Sequence, residues 1–137
     1  MSFKLTTPKN TRVGEDKTKA TSLATTAGVL YQNSVTTGAL EAAGASTVAT
    51  QILWVANESI TAGEALAKVS ALRVDLGDVF LVDTANNSNS AHNGQRMVLS
   101  AGGATLNNTG TDSATGVFQQ LDVVGAAADK KILAVRV

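Results

Sequence analysis

From about Gly94 onward the chain is written in short alternating runs of apolar and polar residues, punctuated by Gly, Asn, Asp, Ser and Thr. Alternation at a period of two puts one face of each run on a core and the other toward solvent. Runs this short are poor helices but adequate strands. Several of them joined by frequent turns close into a sandwich or a barrel. The text therefore predicts an all-β fold, and 137 residues leave room for one domain around one core.

Strands are expected at 27–34, 46–56, 79–83, 95–100, 104–107, 117–124 and 130–137, with turns at Gly77-Asp78, Asn93-Gly94 and 101–103. In 46–56 the residues Val48, Thr50, Ile52, Trp54 and Ala56 fall on one face, and Ala49, Gln51, Leu53 and Val55 on the other. Both faces are apolar toward the end, which predicts burial on both sides there. Residues 36–45 are rich in Gly and Ala and read as a loop or a short helical turn. The segment 60–71 reads two ways. Thr61 and Glu64 have capping-box spacing, while Ala62-Gly63 is a turn signal ahead of a strand, and a turn and strand, or one short helical turn, is the favoured reading. A run ending at Val137 predicts a last strand tied into the sheet.

Only five residues are Phe, Tyr or Trp, so the core must be built mostly from Val, Leu, Ile and Ala. Charged residues make up 16%, against roughly 25% in ordinary soluble chains. A surface with few ions costs little to desolvate, which suits a protein largely covered by partners. The formal charge is zero, so no general attraction to nucleic acid or to a membrane surface is expected. The charge is nevertheless uneven: residues 1–20 carry net +3 and the remainder −3. With Lys4, Lys9, Arg12, Lys17 and Lys19, few large apolar groups and many Thr, residues 1–26 read as an extended basic arm on a body spanning 27–137. Phe3 and Leu5 alternate with polar neighbours and could add a strand to the edge of a partner's sheet. There is no Cys, so no disulfide holds the fold. The first residues contain no apolar stretch of the signal-peptide kind, and synthesis and assembly in the cytoplasm are expected.

Chemistry-bearing residues are sparse. His92 is the single histidine and sits between Ala91 and Asn93, with no neighbour in sequence to activate it or share a metal. Asp75, Asp78, Asp83, Asn86 and Asn87 form the densest oxygen cluster, but their spacing is not that of an EF-hand loop, and turn formation explains the same letters. No nucleophile-elbow, phosphate-loop or dinucleotide-binding pattern is present. Three matches to the N-glycosylation pattern, beginning at Asn57, Asn86 and Asn107, mean little without a secretory signal. Trp54 and Tyr31 could anchor an interface, but on such apolar runs they are expected in the core. No catalytic residue, cofactor or metal is expected, and the chain reads as a binding or structural protein rather than an enzyme.

A basic, Thr-rich arm ahead of a small Ala/Thr/Gly-rich β body that contains GDVFLVDT (77–84) and closes on KKILAVRV (130–137) resembles the small head decoration, or cement, proteins of tailed bacteriophages. The resemblance lies in layout and texture across most of the chain. It implies a β-sandwich, β-barrel or β-tulip body that forms a homotrimer or a dimer. It also implies binding to the outer capsid surface of the virion, where the protein would brace adjacent subunits of the major capsid protein. The partner-binding residues would be Phe3, Lys4, Leu5, Lys9, Arg12, Lys17 and Lys19. On this view deleting residues 1–20 abolishes capsid binding and leaves the body folded. Other phage structural proteins (tail tube, head completion, fibre base) share the texture, and a carbohydrate- or surface-binding β module is a further alternative. The last would be expected to cluster exposed aromatics for stacking on sugars.

Overall fold

A computed structural model describes residues 3–7, 14–20, 22–63 and 68–137. Its strands form two antiparallel five-stranded sheets packed face to face, a β-sandwich. The first sheet runs in the order β1 (Phe3–Thr7), β7 (Val79–Asp83), β10 (Lys131–Arg136), β9 (Phe118–Val123) and β8 (Arg96–Met97). The second runs β2 (Glu15–Thr18), β6 (Lys68–Val74), β5 (Leu53–Ala56), β3 (Leu30–Asn33) and β4 (Leu40–Ala42).

The first sheet follows the alternation closely. In β10 the residues Ile132, Ala134 and Arg136 are buried, while Lys131, Leu133 and Val135 are half-buried on the other face. Ile132 lies opposite Val82 and Ala134 opposite Phe80, which extends the apolar face onto β7. Against this face the second sheet sets Leu30, Leu53, Val55 and Val74. The chain's three phenylalanines meet in this core. Phe3, Phe80 and Phe118 are at most 1% exposed, with ring centroids 5.4–6.2 Å apart in tilted and edge-on contacts.

The second sheet is buried on both faces, as the text of 46–56 predicts for its end. Leu53 and Val55 point into the main core, whereas Trp54 and Ala56 join Val29, Tyr31, Leu40, Val69 and Ala71 in a second cluster on the outer face. Leu23 and Ile60 pack over that cluster, and Thr25 and Ile60 exchange backbone hydrogen bonds of 2.9 and 3.1 Å to hold the cover in place. The indole N–H of Trp54 donates to the Asn33 side chain at 2.8 Å.

Several expectations need correction. The strand expected over 46–56 begins only at Leu53. Residues 45–46 and 49–50 turn instead, with Thr47 Oγ1 bridging the Gly44 N–H and the Gln32 side chain. The loop expected at 36–45 contains β4, paired with β3. The strand expected at 104–107 shrinks to bridges made by Leu106 with Leu99 and Thr84. In the 60–71 segment the turn at 62–63 and a strand from Lys68 are seen; Glu64 and Leu66 lie outside the described residues.

The largest correction concerns the arm. The described parts of residues 1–26 are not separate from the body. Phe3–Thr7 pairs with β7 in the first sheet, and Glu15–Thr18 pairs with β6 in the second. A phenylalanine aligned with a core face recovers more by burial in its own fold than by waiting for a partner. Deleting residues 1–20 would therefore remove an edge strand from each sheet and a third of the phenylalanine cluster, so it tests folding rather than binding.

One turn depends on glycine. Gly103 is buried at φ 71°, and a Cβ there would press on the Leu30 carbonyl oxygen more closely than side chains allow. Gly102 has φ 82° but open space around it. Gly103→Ala is expected to cost about 2–3 kcal/mol, and Gly102→Ala only the left-handed penalty of about 1 kcal/mol. Urea unfolding of both variants checks the difference.

Candidate functional site

The residues expected to form a basic binding arm are dispersed. Phe3 is fully buried and Leu5 packs partly against the core, while Lys4 is exposed on β1. Lys17 belongs to the other sheet, where its ammonium sits 4.2 Å from the centre of the Trp54 ring and 3.7 Å from Glu15. Lys19 is only 2% exposed beside Leu40, with its Nζ 3.5 Å from the Ala20 carbonyl. Lys17 thus lies over the outer cluster and Lys19 is buried beside Leu40, on a different sheet from Lys4, so the three do not form one charged patch. Lys9 and Arg12 lie outside the described residues.

The Asp/Asn cluster also disperses, because β7 separates its members. Asp78 is buried before the strand and accepts from the Asp75 N–H at 2.7 Å, which shapes the turn at 75–78. Asp75 pairs with Arg73 at 2.8 Å, and Asp83, at the far end of β7, pairs with Lys131 across the sheet at 2.6 Å. Among the described residues no three of His, Asp and Glu come together as a metal-binding group. Trp54 and Tyr31 are each 4% exposed and belong to the outer cluster, as expected of core residues.

What the fold does assemble is an apolar end. Five large apolar side chains are exposed among the described residues, and four of them gather where β3 ends, β5 begins and β6 turns into β7. They are Val35 (93% exposed), Leu76 (65%), Ile52 (55%) and Val48 (40%). The backbone accounts for the convergence. The Asn33 N–H bonds to the Ile52 carbonyl, so the turn carrying Val35 lies beside Ile52. Leu53 pairs with Val74, which brings the turn carrying Leu76 to the same end. Between 49–52 and 73–76 runs an open groove of about 520 Å³.

The floor of this end is held by Arg136. Its side chain is 4% exposed and bonds only to backbone carbonyls: Nη1 donates to Val117 and Val137 (3.0 and 2.9 Å), Nη2 to Ala49 and Gln51 (2.9 and 3.1 Å). Burial lowers its pKa from the usual 12.5 to about 10, which leaves the guanidinium charged at neutral pH. One side chain thus ties the last strand of the first sheet to the turn that precedes β5 in the second. The planar fork can satisfy four acceptors at once, which lysine cannot.

Sequence reasoning missed this surface. Val35 and Leu76 are apolar residues embedded in turn text, next to Ser34 and to Gly77-Asp78. That is the available signal, because an apolar side chain at a turn tip cannot reach a core behind it. Ile52 gave none, since it matches the alternation of the strand beside it. No protein-family model matches the chain, and neither do any curated proteins or solved structures.

Proposed function

We propose that this chain is a structural virion protein, a decoration or cement protein that binds the outer surface of a phage head and braces adjacent major capsid subunits. The observation that carries the reading is the apolar end. Four exposed aliphatic side chains on a rigid β scaffold favour association over solvation, and a patch of this kind on a weakly charged surface is an interaction site. The texture of the chain and its resemblance to cement proteins support the major capsid protein as the partner. The scaffold suits the role, since both termini-proximal strands are sewn into the sheets and Arg136 clamps the binding end. The body is expected to assemble as a homotrimer or dimer, so each capsid contact is multiplied by its neighbours.

Purified chain is to be added to expanded, undecorated phage heads and followed by light scattering and quantitative sedimentation. A discrete trimer or dimer that saturates heads at a fixed copy number is the expected result. Ile52→Asp with Leu76→Asp should weaken head binding by at least about tenfold, because each introduces a charge that must be desolvated at the contact. Both positions are exposed, so thermal unfolding should change little. A ring or filament in solution, or a chain that ignores heads, overturns the proposal.

A further inference from the structure

At the end of the first sheet opposite Arg136, three loops enclose an open cleft of about 800 Å³. Residues 86–90 and His92 form one wall, 108–109 the second, and Val123, Gly125 and Ala127 the floor. We propose that this cleft binds a neutral saccharide. The inference stands apart from the capsid reading and uses the other end of the molecule.

The lining chemistry selects the ligand class. Apart from the His92 imidazole no ionisable side chain lines the cleft, so a phosphate, a carboxylate or an amine meets no fixed counter-charge there. The walls are amides and hydroxyls, which donate and accept equally and therefore match a ligand made of hydroxyl groups. The floor is small and apolar, a surface suited to the C–H face of a sugar ring. A volume of this size is in the range of small-molecule sites.

The walls are also built in advance. Asn108, 3% exposed, accepts from the Asn86 N–H at 2.8 Å and donates to the Asn86 and Asn87 carbonyls at 3.1 and 3.0 Å. The Ser88 N–H and hydroxyl both donate to the Ala127 carbonyl, which ties the first wall to the floor. Asn89 Oδ1 accepts from the Ala91 N–H at 2.9 Å and caps the short 3-10 turn Ser90–His92. These bonds fix the backbone and leave the Asn87 amide and the Thr109 hydroxyl exposed on the walls with no bond inside the described chain. His92 completes this wall, with its ring packed beside Gly110 and its Nδ1 turned away from solvent.

None of the five Phe, Tyr and Trp residues lines the cleft, so no ring stacks on the sugar. A Kd near ~1 mM is expected for a single copy, with useful avidity only when copies are arrayed. The test is an NMR titration of ¹⁵N-labelled protein with maltotriose and with tri-N-acetylchitotriose, followed by an array of neutral and acidic oligosaccharides. Shifts confined to 86–92, 108–109 and 123–127 with at least one neutral sugar are expected, and their loss in Asn87→Ala/Thr109→Val. Ile52→Asp/Leu76→Asp should leave them intact, which separates this site from the capsid reading. The proposal is overturned by shifts that persist in the double variant, by preference for acidic sugars, or by no shifts with any neutral sugar at about 20 mM, a concentration far above that Kd.

Discussion

Phe3→Ala should destabilise the protein by about 3–5 kcal/mol, a large fraction of the stability of a domain this size. Its ring is fully buried, 5.4 Å from Phe118 and 6.2 Å from Phe80, and Ala would leave a cavity in the middle of the sandwich. The neighbouring exposed Lys4→Ala should stay within about 0.5 kcal/mol. Urea midpoints at constant m-value measure both. If Phe3→Ala cost no more than Lys4→Ala, the first strand would be a free arm after all, and the capsid contact would have to be sought there.

Arg136→Met is the second large effect expected. Methionine fills much of the same space but donates nothing, so the carbonyls of Ala49, Gln51, Val117 and Val137 lose their shared partner. The Val117 carbonyl keeps its bond from the Val137 N–H, but the partly buried Ala49, Gln51 and Val137 carbonyls lose this donor, and a loss of about 2–3 kcal/mol is expected. Arg136→Lys should recover only part of it, because one ammonium cannot span acceptors on two sheets. The same variants should loosen the 49–51 turn, which hydrogen exchange at those amides would report. Unchanged stability in both variants would mean that water satisfies these carbonyls, and that the apolar end is not rigidly presented.

Legibility in the sequence followed the hydrogen-bonding period. Residues 79–83, 117–124 and 130–137 are short β-branched and aromatic runs between turn signals, and the strands appear there to within a residue. Failure came where alternation was accidental. Val48 and Ile52 continue the pattern of Trp54 and Ala56, yet the chain turns at 49–50 and leaves both exposed. It also came where short strands contain small residues: β4 is Leu-Glu-Ala, and nothing in those letters competes with a loop reading. The N-terminal segment was misassigned for a different reason. Basic, Thr-rich composition describes the exposed face of an edge strand as well as it describes a free arm. Only Phe3 and Leu5 distinguish the two, and which sheet they join is not a local property.

The amino-acid sequence alone determined the class: all-β, a core of aliphatic residues with few rings, no disulfide, and a last strand that alternates to its end. These are consequences of side-chain period and composition, which act over a few residues. The tertiary structure decided which faces meet. Phe3, Phe80 and Phe118 are separated by most of the chain, and their contact depends on β1 pairing with β7 while β10 lies between β7 and β9. The apolar end, the carbonyl clamp of Arg136 and the amide-lined cleft arise in the same way. Each is assembled from turns and loops at the ends of strands distant in sequence. Long-range pairing is set by the total burial of both sheet faces, a global quantity that no window of sequence contains.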